Sequence, residues 1–298
     1  MIDRGQPDAV PGWLEEIPTD VGPPWLRMGT RGIPPSAWLV VDGRRDDELE
    51  QKRRLLHLHP STVGAWEPET EAAGEEARSL VEDWLEEHHP EIAREVPAGV
   101  RHPLEAAAHL VQEDLCLVAD PGAGHRLVAG SVSFPSHWVL GDKLGRSMAA
   151  VHAPVPHYEA ELARRVDTFF DRLRPGRVVV RRNLSVHDHA ELHRPGPAET
   201  YETWAPDAGP EGLWLRSERQ TLRRLPETGA VLFTIRTQVC PVDTLARVPD
   251  VAARLAPRMV ALAEGDARAG RAPHVPPGLG VWLASVASSE PVHRDPLP

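Results

Sequence analysis

The spacing of apolar residues predicts several amphipathic helices. Within residues 158–173, Val166, Phe169 and Phe170 fall on one stripe, and the helix is expected to end before Pro175. Four other segments carry a helical pattern of apolar and charged residues. The predicted helices are residues 46–56, 69–96, 103–112, 158–173 and 251–267.

Shorter stretches rich in Val, Leu, Ile and Thr predict strands between these helices. The predicted strands are residues 114–119, 126–134, 177–186, 213–222 and 230–239. A Pro-Gly-Ala-Gly turn at 121–124 joins the first two, and a Pro-Glu-Thr-Gly turn at 226–229 joins the last two, so each pair predicts a hairpin. We therefore expect an α+β fold, with a curved antiparallel sheet of about five strands and surrounding helices.

Proline is concentrated toward the two ends of the chain. The protein has 298 residues, of which 31 are proline, about twice the average usage. Residues 1–44 predict an extended N-terminal arm, because proline fixes φ and lacks an amide hydrogen. Residues 271–298 predict a frayed C-terminal tail. The sequence thus predicts a single domain over residues 45–270.

Charge and composition argue against several classes of protein. The 33 Lys and Arg against 44 Asp and Glu give a formal net charge of −11, which disfavours binding driven by nucleic-acid phosphates. No apolar run approaches the roughly 20 residues of a membrane helix, and the first residues lack the apolar core of a secretory signal. We expect a cytoplasmic protein without nucleic-acid or membrane partners. In a reducing compartment, Cys116 and Cys240 are expected to be buried small hydrophobes.

Common catalytic motifs are absent from the sequence. It contains no Gly-x-Gly-x-x-Gly fingerprint, no phosphate loop with Gly-Lys-Ser/Thr, no His-Glu-x-x-His and no Gly-x-Ser-x-Gly. Dinucleotide binding, kinase chemistry and esterase chemistry therefore lose support.

A run of imidazoles follows the third predicted strand. His187, His189, Glu191 and His193 alternate along the chain and would share one face of a continuing strand. Such a face suits a mononuclear metal site. The alternative is an exposed strand end that runs into a loop, which the interruption by Asp188 favours.

The segment around His152 is stiff. Residues 151–156 read Val-His-Ala-Pro-Val-Pro, and the two prolines fix the backbone after His152. A side chain on such a turn is well placed to be a ligand, but a lone histidine is more often a hydrogen-bonded structural residue. Lys143, one of only two lysines, lies nearby. The pattern alone leaves the role of His152 open.

The fourth predicted strand is polar on both faces. Alternation places Arg216 and Glu218 on one face, and Ser217 and Arg219 on the other. Pairing between arginine and glutamate on neighbouring strands explains such a strand. A ligand cavity that binds carboxylates through arginine explains it equally well.

Several motifs together match those of a known family. They are Glu-Asp-Leu-Cys-Leu at 113–117, Phe-Pro-Ser-x-Trp at 134–138 with Lys-Leu-Gly at 143–145, Val-His-x-Pro-Val-Pro at 151–156, Arg-x-Asn at 181–183, Leu-Arg-x-Glu-Arg-Gln-Thr-Leu-x-Arg-Leu-Pro at 215–226 and Phe-Thr-Ile-Arg-Thr at 233–237. The chain resembles the haem-dependent oxidative N-demethylase family, which includes the haem subunit of dimethylamine monooxygenase. The resemblance covers roughly residues 46–243, and its motif at 215–226 is long enough to be specific.

The resemblance implies a PAS-like sheet that encloses a b-type haem. It also implies a monooxygenase, or oxidative N-demethylase, that uses O₂ to oxidise a small secondary amine and releases an aldehyde. Enzymes of this kind receive electrons from separate flavin and iron–sulfur components. The chain's own residues agree, because two cysteines are too few for an iron–sulfur cluster, which commonly needs four. We therefore expect a reductase partner that docks on this acidic protein through a basic patch.

The resemblance also suggests roles for individual residues. His152 is the expected axial iron ligand through a neutral imidazole, and Arg181 and Arg216 are expected to bind the haem. Glu218 and Arg219 are the expected catalytic groups that orient O₂ or a cationic amine. Only one of these two faces a cavity on a regular strand, and we expect it to be Arg219.

Several alternatives stay open at this point. His137 and Cys116 are rival iron ligands, although Cys116 lies in a plain apolar strand. Residues 181–184 read Arg-Arg-Asn-Leu where family members carry Arg-x-Asn-Trp, which changes the substrate shape if Leu184 lines the cavity. A non-catalytic haem-binding or sensor module is a second reading. A metal-dependent enzyme that uses the cluster at 187–193 is a third.

Overall fold

The computed structural model describes residues 10–19, 29–152, 160–196, 209–268 and 275–288, without the side chains of residues 152, 160–165 and 266–268. The helices are α1 (Arg45–Leu58), α2 (Pro60–Val63), α3 (Glu71–His88), α4 (Pro103–Ala108), α5 (Leu140–Lys143), α6 (Met148–His152), α7 (Ala160–Arg172), α8 (Pro249–Arg268) and α9 (Leu279–Ser288). The strands are β1 (Arg31–Ile33), β2 (Gly64–Trp66), β3 (Asp114–Ala119), β4 (Arg126–Ser131), β5 (Val178–Arg182), β6 (Ser185–His187), β7 (Trp214–Arg224) and β8 (Val231–Pro241). Short 3-10 helices span Gly12–Glu16, Pro35–Ala37 and Val242–Arg247.

The strands pair into one antiparallel sheet. In the described part of the chain it has 8 strands in the order β1-β5-β7-β8-β3-β4-β2, and β6 also pairs with β7. The α+β class is confirmed, but the expected count of about five strands was too low. The strands β1, β2 and β6 have three residues each, which is too short for a periodic pattern. The predicted strand at 177–186 is interrupted, so it contributes both β5 and β6.

The central hairpin of β7 and β8 sets the register of the sheet. Glu218 lies opposite Thr237, and Arg219 lies opposite Arg236. The predicted hairpin turn is confirmed by the Leu225 N–H, which donates to the carbonyl of Ala230 at 2.8 Å. Because side chains alternate along a strand, neighbouring residues of β7 face opposite sides of the sheet.

Each face of the sheet packs against its own set of helices. On one side, Leu115 and Leu232 share a core with Val81 and Leu104 of α3 and α4; we call this the α3 face. On the other, residues of β3, β7 and β8 pack against α7; we call this the α7 face. Its core residues include Val118, Leu222, Phe233, Val166 and Phe170. Burial of these two apolar surfaces, at roughly 25 cal/mol per Å², holds the layers together.

The predicted tail contains a folded helix. Leu279 and Leu283 of α9 are buried in a cluster with Leu255 and Met259 of α8. Gly280 allows the close approach, because a Cβ there would lie 2.5 Å from Cγ2 of Val260. Part of residues 271–298 is therefore packed rather than frayed, and the reason is a helix–helix contact between segments that are separate in sequence.

The described residues of the predicted arm, 10–19 and 29–44, contain two 3-10 helices and contribute to the fold. Leu14 and Ile17 are buried in the α8–α9 cluster, and β1 adds an edge strand to β5. In the part of the chain that the structure describes, no helix has the length and apolar character needed to cross a membrane.

Candidate functional site

Polar side chains gather on the α7 face where β5 pairs with β7. Arg181 lies opposite Gln220, and Glu218 is the next residue of β7 on the same face. Leu222 and Phe233 continue this face toward α7 as an apolar wall. The arrangement places a cation and a carboxylate beside apolar surface, which is typical of a small-molecule site.

The Glu218 carboxylate is oriented by two amides. Asn183 Nδ2 and Gln220 Nε2 each donate to Glu218 Oε2 at 2.9 Å. The Glu218 N–H donates to Asn183 Oδ1 at 2.8 Å, at the interruption between β5 and β6. Glu218 Oε1 has no hydrogen bond to the residues that the structure describes. One carboxylate oxygen is thus held, and the other is available to a ligand.

The Arg181 guanidinium is half-buried beside this carboxylate. Burial lowers the pKa of Arg181, and the charge of Glu218 opposes that shift. Within the described ranges, the Arg181 side chain forms no hydrogen bond and no ion pair. A partly buried cation without a protein partner fits an anionic ligand group such as a carboxylate.

The segment that carries His152 reaches the same face. His152 is the last residue of α6, and its side chain lies outside the described part of the chain. Just before it, Val151 packs against the cluster that contains Cys116. Lys143 donates to the carbonyl of Val151 at 2.5 Å, and its Nζ lies 5.7 Å from the ring centre of Trp138. These contacts fix the backbone next to His152, while its ligand role stays a prediction.

Cys116, the rival thiol ligand, lies in an apolar cluster. It is a free, buried cysteine, as the sequence led us to expect, and it packs with Leu127 and Leu140. Burial raises the pKa of the Cys116 thiol far above its usual range. This environment is typical of a structural cysteine, and a ligand role of Cys116 stays a prediction.

Arg216 connects two loops to the sheet. Its side chain is 2% exposed and donates to the carbonyls of Phe134 at 2.7 Å, Leu192 at 3.1 Å and Glu191 at 3.2 Å. Burial lowers the pKa of Arg216. These hydrogen bonds give the guanidinium a structural role, and its predicted contact with haem stays a prediction.

Arg219 lies on the face opposite Glu218. It is 6% exposed and donates to the carbonyl of Trp38 at 2.8 Å and to that of Ala37 at 2.5 Å. The structure therefore separates the two residues that we expected to be catalytic, as strand alternation requires. Glu218, rather than Arg219, shares a face with Arg181, and the catalytic role of Arg219 stays a prediction.

An Arg219→Met variant is expected to lose stability and to keep the properties of the α7 face. The substitution keeps most of the side-chain volume but removes the donor from the buried carbonyl of Trp38 and from the partly buried carbonyl of Ala37, which costs about 1–3 kcal/mol. Urea denaturation measures the loss, and the haem spectrum should be unchanged. Unchanged stability together with altered oxygen or amine handling would instead favour the catalytic role.

A buried ionic network on the α3 face was missed by sequence reasoning. Arg236, 1% exposed, forms ion pairs of 2.8 Å with Asp42 and with Glu48. Gln112 donates to the same two carboxylates. Burial would lower the pKa of Arg236, but Glu48, Asp42 and Glu113 together raise it. An arginine in the middle of β8, whose other residues carry no charge, is the signal that could have revealed this network.

Lys52 of α1 extends this ionic network toward β3. It is fully buried and donates to the carbonyls of Val111 at 2.9 Å and of Glu113. Asp114 accepts the backbone N–H groups of Ser133 and Phe134 at 2.8 Å each. These contacts join α1 to β3 and hold the segment that follows β4.

Leu184 lies away from the α7 face. It packs against the cluster formed by α8, α9 and the end of β7, together with Val186 and Leu215. The departure from the family pattern at this position therefore does not alter the surface that carries Glu218.

The imidazole run from 187 to 193 is divided by the fold. His187 and His189 lie close to each other and to His137. In contrast, His193 Nδ1 lies 2.7 Å from the carbonyl of Ser133, and Glu191 pairs with an arginine at 3.5 Å. The four alternating residues do not share one face.

The chain has an α+β fold with an antiparallel sheet, one face of which carries the candidate site. Residues 29–269 match the family model described as haem-dependent oxidative N-demethylase, alpha subunit-like. The chain belongs to this family. The match confirms the resemblance of the motifs and identifies the class as haem-dependent oxidoreductase subunits.

Proposed function

We propose that this protein is the haem-binding subunit of a monooxygenase that demethylates a small amine with O₂ and external electrons. The observation that carries the proposal is the Arg181 guanidinium, which has no partner in the described chain, beside the oriented Glu218 carboxylate. The family match supports it, since haem is the cofactor that the family name specifies.

We infer that a haem lies against the α7 face. A haem is a flat apolar macrocycle that carries two carboxylates, and this face offers the partly exposed ring of Phe233 and the Arg181 cation. Arg181 would bind a propionate through paired hydrogen bonds, and His152 would supply the axial nitrogen. When bound, the haem supplies the iron at which O₂ is activated.

The chain's own contribution is to bind and orient the amine. A small amine is a cation at neutral pH, and the available Oε1 of Glu218 accepts an N–H of that cation. Asn183 and Gln220 keep the carboxylate in one orientation, so its position costs little reorganisation when the substrate binds. The apolar wall around Leu222 excludes water and strengthens this charge interaction.

The arrangement of the longer strands supports a PAS-like domain. The strands β4, β3, β8, β7 and β5 are contiguous and antiparallel, and β1, β2 and β6 are short additions at the edges. In chain order these five strands have the arrangement 2-1-5-4-3, which is that of a PAS sheet. The helices α5, α6 and α7 lie between the second and third of them in sequence, on the face where we place the haem.

Aldehyde production is expected only when a reductase is added. The haem-loaded chain mixed with a secondary amine, O₂ and NADPH should form no aldehyde, because the sequence has no dinucleotide-binding fingerprint with which to bind NADPH. A surrogate flavin and iron–sulfur reductase should restore it, and high salt should weaken the coupling. Steady NADPH-driven turnover by the chain alone would contradict the proposal.

A Glu218→Gln variant tests the substrate contact in the same assay. It should retain haem but lose the amine-induced change in the Soret band, because a neutral amide cannot balance the ammonium charge. Glu227→Gln, at the exposed hairpin turn, is the matched control and should behave as the wild type. Haem reduction without amine oxidation in every reductase mixture would favour the non-catalytic haem module.

A further inference from the structure

Three imidazoles from two separate segments converge next to β6. His137, His187 and His189 each offer a ring nitrogen, and these three atoms lie within 4.8 Å of one another. The ring centres of His137 and His187 are 5.8 Å apart, and those of His187 and His189 are 5.2 Å apart. The sequence pattern pointed to His187 and His189 but not to His137, and the proposed haem site does not account for the convergence of the three.

The backbone that presents His137 is held in an unusual conformation. Its φ is 57°, in the left-handed region that residues other than glycine seldom adopt. The His137 N–H donates to the carbonyl of Arg194 at 2.8 Å, and the Arg194 N–H donates to the carbonyl of Pro135 at 3.1 Å. These hydrogen bonds join the segment before α5 to the segment after β6, and they direct His137 toward the other two rings.

The surroundings of the cluster resemble those of metal-ligating histidines. His187 is 6% exposed, and its Nε2 lies 2.8 Å from Ser185 Oγ. Asp188 Oδ1 lies 3.9 Å from Nε2 of His189, within ion-pair distance but beyond a hydrogen bond. A hydrogen bond such as that between Ser185 and His187 orients an imidazole ligand. Arg216 holds the segment before α5 and the segment after β6 together, because its guanidinium donates to carbonyls of both.

We propose that His137, His187 and His189 bind one divalent transition-metal ion of the zinc class. Imidazole nitrogen suits Zn²⁺, Cu²⁺, Ni²⁺ and Fe²⁺, and three histidines leave a fourth tetrahedral position for water. Zn–N bonds of about 2.0–2.1 Å place ligand nitrogens about 3.3 Å apart. The three nitrogens, which lie within 4.8 Å of one another, therefore approach by up to about 1.5 Å when the metal binds.

This metal site is independent of the proposed haem. Its three ligands differ from His152, Arg181 and Glu218, to which the proposed function assigns the haem and the amine, and it links the segment at 134–138 to the edge of the sheet. The bound metal is expected to raise the melting temperature, because it binds the folded arrangement and not the unfolded chain.

The test uses haem-free, chelator-treated protein without a polyhistidine tag. Calorimetric titration with Zn²⁺ should show one tight equivalent, and Co²⁺ should give the visible absorption bands of a tetrahedral site. His187→Ala and His137→Asn should each weaken Zn²⁺ binding by more than about tenfold. Asparagine is chosen at 137 because it tolerates a positive φ, so the backbone is preserved. His193→Ala, outside the cluster, is the matched control and should bind as the wild type.

Either of two results would overturn the proposal. The first is a wild-type chain that binds no equivalent of Zn²⁺ or Co²⁺. The second is that the His137→Asn and His187→Ala variants are folded and bind Zn²⁺ like the wild type. If the wild-type chain binds no Zn²⁺ and His137→Asn also loses the wild-type haem spectrum, the cluster is an iron-ligand site instead. Since the titration needs no haem, its outcome is separate from that of the proposed oxygenase function.

Discussion

Haem binding is expected to be lost or greatly weakened when His152 is replaced by alanine. An axial imidazole provides the iron–nitrogen bond that anchors a b-type haem, and His157 is a poor substitute because it lies beyond two prolines. The measurement is the Soret band and the haem-to-protein ratio after reconstitution with equimolar haem. The protein should lose its red colour while its far-UV circular dichroism is unchanged.

The matched control is His157→Ala, which should keep the wild-type spectrum. If His152→Ala also keeps a wild-type spectrum and occupancy, the ligand assignment is wrong. The same measurement on His137→Asn and Cys116→Ala then locates the ligand. In that event the oxygenase proposal would survive and the assignment of the axial residue would change.

Replacing Arg236 by methionine is expected to have the largest effect on stability. The guanidinium is buried between Asp42 and Glu48 at 2.8 Å from each, and its removal leaves buried carboxylates without a cation. Breaking one partner of such a network costs about 3–5 kcal/mol. Urea denaturation followed by circular dichroism measures this change in the free energy of unfolding.

An exposed ion pair provides the control. Arg254 pairs with Glu15 at 2.6 Å, and both side chains are largely exposed. Arg254→Met should therefore change stability by less than about 1 kcal/mol. Equal effects of the two substitutions would show that the buried network contributes no more than a surface pair.

The deficit of Arg236→Met should shrink as the pH is lowered. Burial raises the pKa of Glu48 and that of Glu113, and loss of the Arg236 cation raises both further. A carboxyl group whose pKa is higher in the folded than in the unfolded state destabilises the fold as the pH rises from the unfolded pKa to the folded pKa. This destabilisation is absent below the unfolded pKa of about 4.3. The account would be contradicted if the loss of unfolding free energy in Arg236→Met became larger as the pH is lowered from about 8 to about 5.

Local pattern predicted the longer elements well. The helix α7, the β3–β4 and β7–β8 hairpins and α8 are close to their predicted positions, because periodicity and turn residues act within a few residues of each other. The strand β1 was missed and β6 was merged with β5, because a strand of three residues is too short to show alternation. The helix α9 was missed because its burial depends on contact with α8, to which no local signal points.

The sequence by itself determined the family, through motifs that the match over residues 29–269 confirmed. It also determined that Glu218 and Arg219 face opposite sides of a strand, because side-chain alternation is a property of the backbone. Only the tertiary structure decided which face carries the candidate site. Arg219 bonds to Trp38, 181 residues away along the chain, and Arg216 bonds to Phe134, 82 residues away. His137 lies close to His187 although 187 − 137 = 50 positions separate them in the sequence. Such contacts arise from packing between distant segments, which no local spacing of residues encodes.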